Sequence, residues 1–510
     1  MLWLAELASN IGTWMQTVGA QWLLVDLRNA ATLVALVQTA ETLPDLLLAL
    51  PGGALADIFD RRRFLIGLQW FQVVAGAALA ALTLAGQMTP PLLLGFTFVL
   101  GAAGAVATPA YLALIPEIVP RSQLPSASAL GSVNINLARA IGPALAGYLI
   151  ARLGVGALFV LDVVAFLFLP LVLLAWRRPV GTGADSPERF LPALRAGGRY
   201  VRHSPVTRRI LFRLGLFIFP ATAIWGLLPL VATRRLGMGA EGYGILLGAL
   251  GGGAIVGALL LPRLRRHGSL NGILTLTTVT YGIAMAGLVL VRNPALAIVT
   301  LLPAGAAWLS VIATSSAEIQ LFLPGWVRAR GLATYQMVLF GSQALGALAW
   351  GLLADQVGLV PTFLGAAAVM LAGAGTIPIW PLLDVRGLNR DRSNPWPEPM
   401  LAIKPDPDVG PVKIITTYTI APERITDFLS AMDAVRLSRL RTGATDWELY
   451  REGENPRRFI EIYTLPSWDE HLRQHHERLT GADAVIDAKA RALSDPAPTY
   501  VHVFPMDALE

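Results

Sequence analysis

Among the ionisable side chains inside long apolar segments of the sequence, where a charge is costly, five are candidates for chemistry. Glu41 and Asp45 share one apolar segment, and Arg139, Asp162 and Glu318 each lie in another. A charged side chain in a membrane-spanning helix costs at least about 2.5 kcal/mol, so each such residue needs a functional or structural reason. Glu41 and Asp45 are four positions apart and therefore share one face of a helix. The pattern predicts a buried polar site that exchanges protons or binds a polar substrate.

Two interpretations of Glu41, Asp45 and Arg139 are open from the sequence. In the first, one of the carboxylates carries a proton, and Arg139 adjusts its proton affinity, because a nearby cation favours the ionised carboxylate while burial favours the neutral one. In the second, the three residues form a static ion pair that locks the N-terminal half. Asp162 and Glu318 suit a contact at a cytoplasmic gate or a polar packing role equally well.

Aromatic and amide side chains in the same segments are candidates for lining a substrate cavity. They are Trp14, Gln16, Trp22, Trp225, Trp308, Gln343 and Trp350, and Asp162 and Glu318 join them as ionisable candidates. Gln16 lies near the middle of the first span and gains little from facing lipid. Tryptophan also anchors spans at membrane interfaces, and that role is the alternative for each of these tryptophans.

The composition indicates lipid as the solvent for most of the chain. Only 15% of the 510 residues are charged, against about 25% in a soluble protein. Residues 64–116 contain no Asp, Glu, Lys or Arg; as one helix they would extend about 80 Å across a hydrocarbon core of roughly 30 Å. They must turn back between 86 and 91. The same reasoning predicts twelve spans in two sets of six, at residues 2–26, 32–56, 64–86, 91–115, 127–151, 155–176, 209–233, 241–262, 270–291, 294–320, 331–355 and 359–382.

The arginines predict the orientation of these spans. With the N-terminus inside, the cytoplasmic loops hold 17 arginines and the outer loops hold 5. Positive residues are retained on the cytoplasmic side of a membrane. We therefore expect a multi-pass protein of the plasma (inner) membrane with both termini in the cytoplasm. Short arginine clusters between apolar runs are typical of topology signals and do not resemble a nucleic-acid interface.

The two sets of six spans repeat each other at an offset of 204 residues. Gly53 falls on Gly257, Arg61-Arg62 on Arg265-Arg266, Gly142 on Gly346, Gly147 on Gly351 and Gly154 on Gly358. Repeats in parallel orientation are used by large secondary transporters to build a site between two halves. The repeat thus predicts an all-α membrane protein made of two related six-helix halves.

Two motifs carry a resemblance to a known family. The run from Gly53 through Asp57 to Arg61, Arg62 and Arg63 resembles the loop signature of the major facilitator superfamily. The run from Ala138 to Gly147, with Gly142 and Pro143, resembles the glycine-proline signature of its proton-driven drug antiporters. The resemblance implies the twelve-helix major facilitator fold, with Gly53, Asp57, Arg61 and Arg62 in a gating loop and Gly142, Pro143 and Gly147 in the antiporter motif.

The opening Ser9–Gln16 and the overall layout resemble the branch that contains enterobactin exporters and transmembrane secretion effectors. The resemblance implies a secondary active transporter that works by alternating access and exports an amphipathic small molecule, such as a siderophore, an antibiotic or a drug, in exchange for protons. Small-molecule substrate, protons and the lipid bilayer are then the partners. No cofactor, metal or nucleic acid is expected, and no enzyme activity in the membrane part.

The last hundred residues form a separate, soluble segment. They hold 16 of the 34 acidic residues and follow a proline-rich stretch. Alternating and helical periodicities predict the order βαββαβ, which is ferredoxin-like. The segment resembles the small dimeric α/β-barrel domains that include cofactor-free antibiotic-biosynthesis monooxygenases, which implies self-association. The chain is thus divided into an N-terminal half (1–176), a central cytoplasmic linker (177–208), a C-terminal half (209–384), a proline-rich linker (385–411) and a ferredoxin-like domain (412–507).

The residues of this domain whose types could support chemistry are Trp468, His471, His475 and His476. His471 and His475 are four positions apart and have the spacing of metal ligands, but a solvated polar helix face is the favoured interpretation. A docking, dimerising or ligand-sensing role is favoured over catalysis. The alternative to a simple exporter is a transporter-enzyme fusion whose C-terminal domain is a monooxygenase or a ligand-sensing module.

The absence of certain residues and motifs excludes some functions, and the linker has two interpretations. The sequence has no cysteine, which excludes disulfides and thiolate metal sites; it also has no Walker-type loop, which disfavours ATP-driven transport. Residues 188–202 in the linker suit either an amphipathic helix on the inner leaflet or a solvated basic loop.

The first span has no basic residue before Arg28, so we expect the translation start to lie upstream, with roughly ten to thirty residues preceding Met1.

Overall fold

The computed structural model describes residues 1–176, 190–383, 385, 387–396 and 401–506. Its helices of the first set are α1 (Leu2–Leu24), α2 (Ala30–Ile58), α3 (Arg61–Leu84), α4 (Pro90–Ile118) and α5 (Leu124–Ala175). A short helix, α6 (Phe190–His203), leads to the second set, which comprises α7 (Pro205–Leu230), α8 (Ala240–His267), α9 (Leu270–Leu290), α10 (Pro294–Phe322), α11 (Arg328–Val357) and α12 (Leu359–Gly375). A π-helical segment, Val231–Arg235, continues α7.

Nine helices in the described ranges are long and apolar enough to cross a membrane. They are α2 to α5 and α7 to α11, while α12 is shorter, at 17 residues. The long apolar stretch Leu130–Ala175 counts once, although it contains two of the predicted spans. The structure therefore establishes a mostly helical, membrane-type fold with many apolar helices.

The helix α5 bends sharply at Gly154, where the sequence predicts the boundary between two spans. Gly154 has φ 78° and ψ 168°, a conformation that glycine adopts readily because it has no Cβ. Gly358, which separates α11 from α12, has φ 88° and ψ 168°. The two glycines are 204 positions apart, so the sequence repeat is accompanied by the same backbone turn at equivalent places.

The C-terminal residues form a four-stranded antiparallel sheet with helices on one face. The strands are β1 (Val412–Thr419), β2 (Asp446–Arg451), β3 (Arg458–Leu465) and β4 (Thr499–Val503), and their order in the sheet is β2-β3-β1-β4. Three helices alternate with them: α13 (Ile425–Thr442), α14 (Trp468–Arg473) and α15 (Gly481–Arg491). A π-helical segment, Gln474–Arg478, follows α14. Side chains from β1, β3, α13 and α15 form the core.

The chain divides into two compact units. The first comprises Met1–Gly183, Leu211–Ser316 and Ala333–Leu382; the second comprises Ala184–Ile210, Ala317–Leu332 and Leu383–Glu510. The second unit thus contains α6, the adjoining ends of α10 and α11, and the sheet. Within it, Tyr200 of α6 is buried at 2% exposure and packs edge-on against Trp326, with 5.7 Å between ring centroids. Of the two interpretations of residues 188–202, the helical one agrees with the helix over 190–203. Tyr200 of this helix packs against protein, and residues 188 and 189 lie outside the described residues.

Candidate functional site

A polar cavity of about 220 Å³ lies among α1 to α5. Its polar lining consists of Asn10, Thr13, Gln16, Thr17, Glu41, Asp45, Gln72, Thr97 and Thr108. The two carboxylates predicted to act together, Glu41 and Asp45, both line it. Of the predicted substrate-cavity residues, Gln16 lines it as well. The cavity therefore brings two acidic groups and several hydrogen-bonding groups together inside the first set of helices.

The backbone of α2 is adapted to place the carboxylates in this cavity. Pro44 lies inside the helix between Glu41 and Asp45 and cannot donate the usual helical hydrogen bond to the residue four positions before it. On the facing helix, a Cβ at Gly101 would lie only 3.0 Å from the carbonyl oxygen of Glu41. Glycine at that position therefore lets α4 approach α2 closely. The close approach sets the width of the cavity.

Glu41 is held by a hydrogen bond from the first helix. The Thr17 hydroxyl donates to Glu41 Oε1 at 2.9 Å, and it lies 3.0 Å from the carbonyl oxygen of Thr13. Asp45, by contrast, has no hydrogen-bond partner in the described part of the chain and lines the cavity directly. The two carboxylates are therefore unequal: one is anchored to α1 and the other is available to a bound group.

Arg139 does not pair with these carboxylates. Its guanidinium lies over the Trp14 ring, 5.9 Å from the ring centroid, and Trp14 in turn packs against Trp225 with 5.9 Å between centroids. Across the residues that the structure describes, Arg139 forms no ion pair with Glu41 or Asp45 and does not line the cavity. The static ion pair considered for these three residues is not observed, and Trp14 likewise lies outside the cavity lining.

The remaining predicted cavity residues lie elsewhere. Asp162 is 1% exposed and packs against α1 at Gly12, and its Oδ1 has no hydrogen-bond partner in the described ranges. Gln343 is half-buried on α11 and Glu318 is half-buried near the end of α10 in the second unit. None of the three lines the polar cavity. The sequence indicated that these three polar residues lie in apolar spans, but it could not show that they lie outside the cavity.

The predicted antiporter motif forms a close helix contact. A Cβ at Gly142 would lie 2.6 Å from the Trp14 Cβ of α1, and one at Gly147 would lie 3.0 Å from the Gly244 Cα of α8. Pro143 contributes its carbonyl oxygen, which a Cβ at Gly244 would approach to 2.7 Å. The motif thus presses α5 against α1 on one side and against α8, in the second set of helices, on the other.

The equivalent glycines of α11 form the matching contacts. A Cβ at Gly346 would lie 2.5 Å from the carbonyl oxygen of Phe219 on α7, and one at Gly351 would lie 2.5 Å from the Ala35 Cβ on α2. Gly142 and Gly346, like Gly147 and Gly351, are separated by 204 positions. The repeat therefore produces two related contacts between the sets, α5 with α8 and α11 with α2.

Side chains fasten the two sets together at the same end. Asp355 of α11 accepts hydrogen bonds from the backbone N–H groups of Ala31, at 3.2 Å, and Thr32, at 2.8 Å. A carboxylate at the N-terminus of a helix is stabilised by the free N–H groups and the helix dipole. At the neighbouring corner, the Tyr243 hydroxyl of α8 hydrogen-bonds Gln21 of α1. Sequence reasoning missed Asp355, although an aspartate near the end of a predicted span was visible.

The predicted gating loop is described in part. The Arg62 guanidinium donates to the carbonyl oxygens of Leu173, at 2.8 Å, and Leu174, at 3.0 Å, at the end of α5. Arg61 begins α3, and the Asp60 side chain accepts from the Arg63 N–H at 2.9 Å. The side chains at positions 53 and 57 lie outside the described structure. Arg62 therefore neutralises the carbonyl end of a neighbouring helix, as cations near helix C-termini do.

Arg213 is a second buried arginine, which was not among the residues predicted from the sequence. It lies on α7 at 7% exposure and donates to the carbonyl oxygens of Gly373 at 3.1 Å, Thr376 at 2.7 Å and Trp380 at 2.6 Å. These oxygens belong to the C-terminal end of α12 and the turn after it. An arginine within a predicted apolar span was the available indication. The Arg213 side chain therefore caps the C-terminal end of α12 and joins it to α7.

Two histidines of the C-terminal domain, His471 and His475, are buried, so the solvated polar face predicted for them is wrong, whereas His476 is exposed. His471 is 2% exposed and His475 is 1% exposed. His471 Nε2 lies 3.2 Å from the Nε2 of His502 on β4. Burial, together with His502 and His475, lowers the pKa of His471 to about 3. Both rings of the pair are therefore neutral near pH 7. In the described residues, no group of three or more His, Cys, Asp or Glu side chains is placed to hold a metal ion.

An ion-pair network fills the interior of the same domain. Arg439, 2% exposed, donates to Glu461 at 3.1 Å and to Asp487 at 2.6 Å. Trp396 and Trp447 donate to the same two carboxylates, at 2.9 and 3.0 Å. Burial acts to raise the pKa of Asp487, but the Arg439 and Arg491 guanidiniums hold it below its ordinary value. The network satisfies the buried charges, as buried ions in proteins require.

Within the second unit, the C-terminal domain also contacts α6 and the segment between α10 and α11. Glu470 pairs with both guanidinium nitrogens of Arg478, at 2.8 and 2.9 Å, and lies 3.5 Å from Arg199 of α6. The Trp326 indole donates to the carbonyl oxygen of Arg478 at 3.2 Å, and the Arg478 guanidinium lies 5.0 Å from the Trp326 ring centroid. Glu470 and Arg478 therefore join three separate segments of the chain.

Comparisons with known proteins agree with the helical architecture. The chain is 25% identical over 355 residues to the Staphyloferrin A transporter of Staphylococcus aureus (strain NCTC 8325 / PS 47), an alignment covering 69% of this chain and 88% of that protein. It is 26% identical over 382 residues to the Multidrug efflux pump Tap of Mycolicibacterium fortuitum, covering 72% and 91%.

A solved structure of a bacterial homologue of the human lysosomal transporter Spinster, inward-facing and unoccupied, superposes with a TM-score of 0.57. That alignment has 16% identity and covers 74% of this chain and 94% of the other, so it shows the fold alone. The family described as transmembrane secretion effector matches residues 1–505. The chain therefore belongs to the transmembrane secretion effector family of major facilitator superfamily transporters.

Proposed function

We propose that this protein exports an amphipathic small molecule across the plasma (inner) membrane in exchange for protons, by alternating access. The observation that carries the proposal is the polar cavity with Glu41 and Asp45, next to helices that join the two sets at one end. Carboxylates inside spans mark proton or substrate pathways in transporters. The relatives named a staphyloferrin A transporter and a multidrug efflux pump support export of small molecules.

All twelve predicted spans cross the membrane in this proposal, with both termini in the cytoplasm. The end fastened by Asp355, Gly147 and Gly351 then faces outward, and the cavity opens to the cytoplasm. Export requires the reverse arrangement, in which these contacts separate and the inner ends of the helices close. The glycine contacts favour such a two-state motion, because few side chains must rearrange when the helices separate.

The two carboxylates carry out different parts of the cycle. Asp45, which is available to a bound group, takes up a proton when the cavity faces outward and releases it when substrate enters from the cytoplasm. Glu41 accepts a hydrogen bond from Thr17 of α1. A change in the protonation of Glu41 therefore changes this contact and so the position of α1. Trp14 and Arg139 lie at the contact between α1 and α5 and transmit the movement of α1.

The C-terminal domain, ferredoxin-like in this proposal, serves docking and regulation. The Arg439 network occupies its interior, which supports a structural role over catalysis. The link through Glu470 and Arg478 supports an effect on the inner ends of α10 and α11. Its outer sheet face carries exposed apolar groups, Val501 at 54% and Tyr450 at 48%, which support self-association through that face.

The test is transport by the full chain in proteoliposomes, with staphyloferrin A and ethidium as separate probes. A pH gradient should drive at least one probe against its concentration gradient. Asp45→Asn should abolish this accumulation. Asp26→Asn, which neutralises an exposed aspartate between α1 and α2, is the matched control and should accumulate the probe normally. Accumulation that is indifferent to the pH gradient would contradict proton exchange.

A further inference from the structure

An apolar groove of about 520 Å³ lies between the end of α8 and the start of α9. It shares no lining residue with the polar cavity. Its lining consists of Leu260, Arg263, Leu264, His267, Gly268, Gly272, Ile273 and Leu276. The four residues from α8 are three, four and seven positions apart, so they lie on one face of that helix. The groove is therefore bounded by one face of each helix.

The groove extends from the end of α8 toward the middle of the span. With 28 residues, α8 is about 42 Å long, enough to cross the hydrocarbon core and both headgroup layers. Leu260 lies seven residues before His267, the last residue of α8, and thus about 10 Å from the helix end. Leu260 and Leu276 are exposed, at 43% and 53%. The groove therefore crosses the level at which headgroups give way to hydrocarbon.

Two basic side chains lie at the headgroup end of the groove. The Arg263 guanidinium has no hydrogen-bond or ion-pair partner among the residues that the structure describes. His267 Nδ1 donates to the carbonyl oxygen of Arg263 at 3.0 Å, so its Nε2 remains available to a ligand. The neighbouring Arg265 is engaged instead with α10, where it lies 3.3 Å from Thr314 Oγ1. Arg263 and His267 are thus the basic groups that the groove offers.

The sequence repeat shows what distinguishes this end of the second set of helices. Where the first set has Asp57 and Asp60, the positions 204 residues later are Leu261 and Leu264. Leu264 lines the groove, so a carboxylate of the first set is replaced by part of an apolar wall. Residues 242–317 contain no Asp or Glu. The segments around the groove therefore carry positive charge only, which suits an external anion.

We propose that this groove binds an anionic phospholipid of the inner leaflet. The phosphate contacts Arg263 and His267, and one acyl chain lies between Leu260 and Leu276. Basic pockets between membrane helices bind anionic headgroups, and arginine matches phosphate oxygens with two parallel donors. The inference rests on the proposed function for its orientation, which places this end of α8 on the cytoplasmic side.

The size and depth of the groove favour a lipid over other anions. A volume of about 520 Å³ corresponds to roughly seventeen water molecules at about 30 Å³ each. A free phosphate ion needs only a small part of that space and gains nothing from the apolar walls. An acidic peptide would bring backbone groups to a depth where they lack hydrogen-bond partners. A phospholipid satisfies both the charged end and the apolar walls.

Lipid binding to the unmodified full chain in detergent tests the charge preference. Dioleoylphosphatidylglycerol and dioleoylphosphatidylcholine have the same acyl chains, but only the first carries a net negative charge. Native mass spectrometry resolves each bound lipid and gives an apparent Kd for both. We expect phosphatidylglycerol to bind at least about tenfold more tightly. Equal affinities for the two lipids would overturn the proposal.

Substitutions of single basic residues assign the preference to this groove. Arg263→Gln and His267→Gln should each reduce it to less than about threefold. Arg266→Gln is the matched control, because it removes a charge from an exposed position on the same helix end that does not line the groove. It should keep the tenfold preference. A preference that survives Arg263→Gln, or that falls equally in Arg266→Gln, would overturn the proposal in favour of diffuse attraction.

The apolar part of the groove is tested by filling it. A Cβ at Gly272 meets only the Ser269 hydroxyl, at 3.0 Å, and this side chain can rotate away. Gly272→Phe should therefore fill the groove and weaken phosphatidylglycerol binding at least about fivefold. Gly252→Phe on α8 is the control, since a Cβ there meets nothing within 4 Å and the residue lies outside the lining. Unchanged binding by Gly272→Phe would overturn the proposal.

A competitor without acyl chains distinguishes a lipid from a free phosphate group. Millimolar sn-glycerol 3-phosphate should leave phosphatidylglycerol bound to the unmodified protein, because it gains nothing from the apolar walls. Displacement of the lipid by this competitor would overturn the proposal and assign the basic groups to a soluble phosphate.

The result can be separated from the test of export, because binding is measured without transport. If phosphatidylglycerol binds selectively in the groove while no probe accumulates in proteoliposomes, the lipid site stands and proton-driven export falls. If a probe accumulates under a pH gradient while the two lipids bind equally, export stands and the lipid site falls.

Discussion

Gly147 of α5 and Gly244 of α8 lie in direct backbone contact, so that a Cβ on Gly147 would reach 3.0 Å from the Gly244 Cα. This contact joins the two sets of helices near the outward end of the proposed transporter. Any side chain at Gly147 must push α5 and α8 apart, because the neighbouring atoms are backbone and cannot rotate away. Closure at that end therefore depends on the absence of a side chain.

Gly147→Val should prevent this closure and reduce transport by about tenfold or more, because overpacking a tight contact costs of the order of 1–3 kcal/mol. Transport in proteoliposomes measures the effect. Gly131→Val is the matched control on the same helix, since a Cβ there meets nothing within 4 Å. Equal loss in both variants would assign the effect to helix propensity alone.

Asp355→Asn should loosen the attachment of α11 to the start of α2. The carboxylate accepts from two backbone N–H groups, and losing a charged hydrogen-bond acceptor typically costs about 1.5–3 kcal/mol. Because the chain has no cysteine, a single Ala35→Cys substitution reports opening through labelling by a membrane-impermeant maleimide. Labelling of this fully buried position should rise roughly tenfold. An unchanged rate, as expected for the Asp26→Asn control, would contradict the role of Asp355.

Arg213→Met should destabilise the second set of helices. The guanidinium serves three backbone carbonyls at the end of α12, and removing it leaves them without a donor at a cost of about 2–4 kcal/mol. Thermal unfolding in detergent should show a clear decrease in Tm. Arg208→Met removes an exposed arginine five residues earlier and should leave Tm nearly unchanged. A similar decrease in both would indicate a general charge effect.

Glu470→Gln should break the ion pairs of Glu470 with Arg478 and Arg199. This loosens the contact of the C-terminal domain with α6 directly and, through Arg478, its contact with Trp326. Hydrogen exchange of peptides covering residues 197–203 and 322–330 should increase, whereas Asp469→Asn, which breaks an exposed ion pair with Arg473, should not change it. Although burial opposes it, Arg478 and Arg199 hold the pKa of Glu470 below its ordinary value. Its contribution is therefore complete above the unfolded value of about 4.3 and is lost as pH falls through the lower folded value. Protection that varies between pH 6 and 8 would contradict this assignment.

The sequence predicted those features that depend on local spacing. The turn at Gly154 follows from glycine between two apolar runs, and the shared face of Glu41 and Asp45 follows from their separation of four. The contact geometry of Gly142 and Gly147 was indicated by small residues in a span, because such residues permit close helix approach. In each case a few neighbouring residues determine the outcome.

The features that the sequence missed depend on packing between distant segments. Arg139 lies over Trp14 because α1 and α5 approach at Gly142, and no spacing along the chain indicates that direction. The burial of His471 depends on His502, which lies 31 positions away on β4. Asp355 and Arg213 act on the ends of helices far along the chain. Their partners are backbone groups, which carry no sequence signature.

The central claim is that Glu41 and Asp45 couple proton movement to export, and uphill transport by the double variant Glu41→Gln, Asp45→Asn tests it most directly. Proteoliposomes containing the full chain are given a pH gradient, and accumulation of the transported probe is compared with exchange of the same probe at equal pH. We predict that the variant loses accumulation. Accumulation by the double variant at the rate and extent of the unmodified protein would contradict the account.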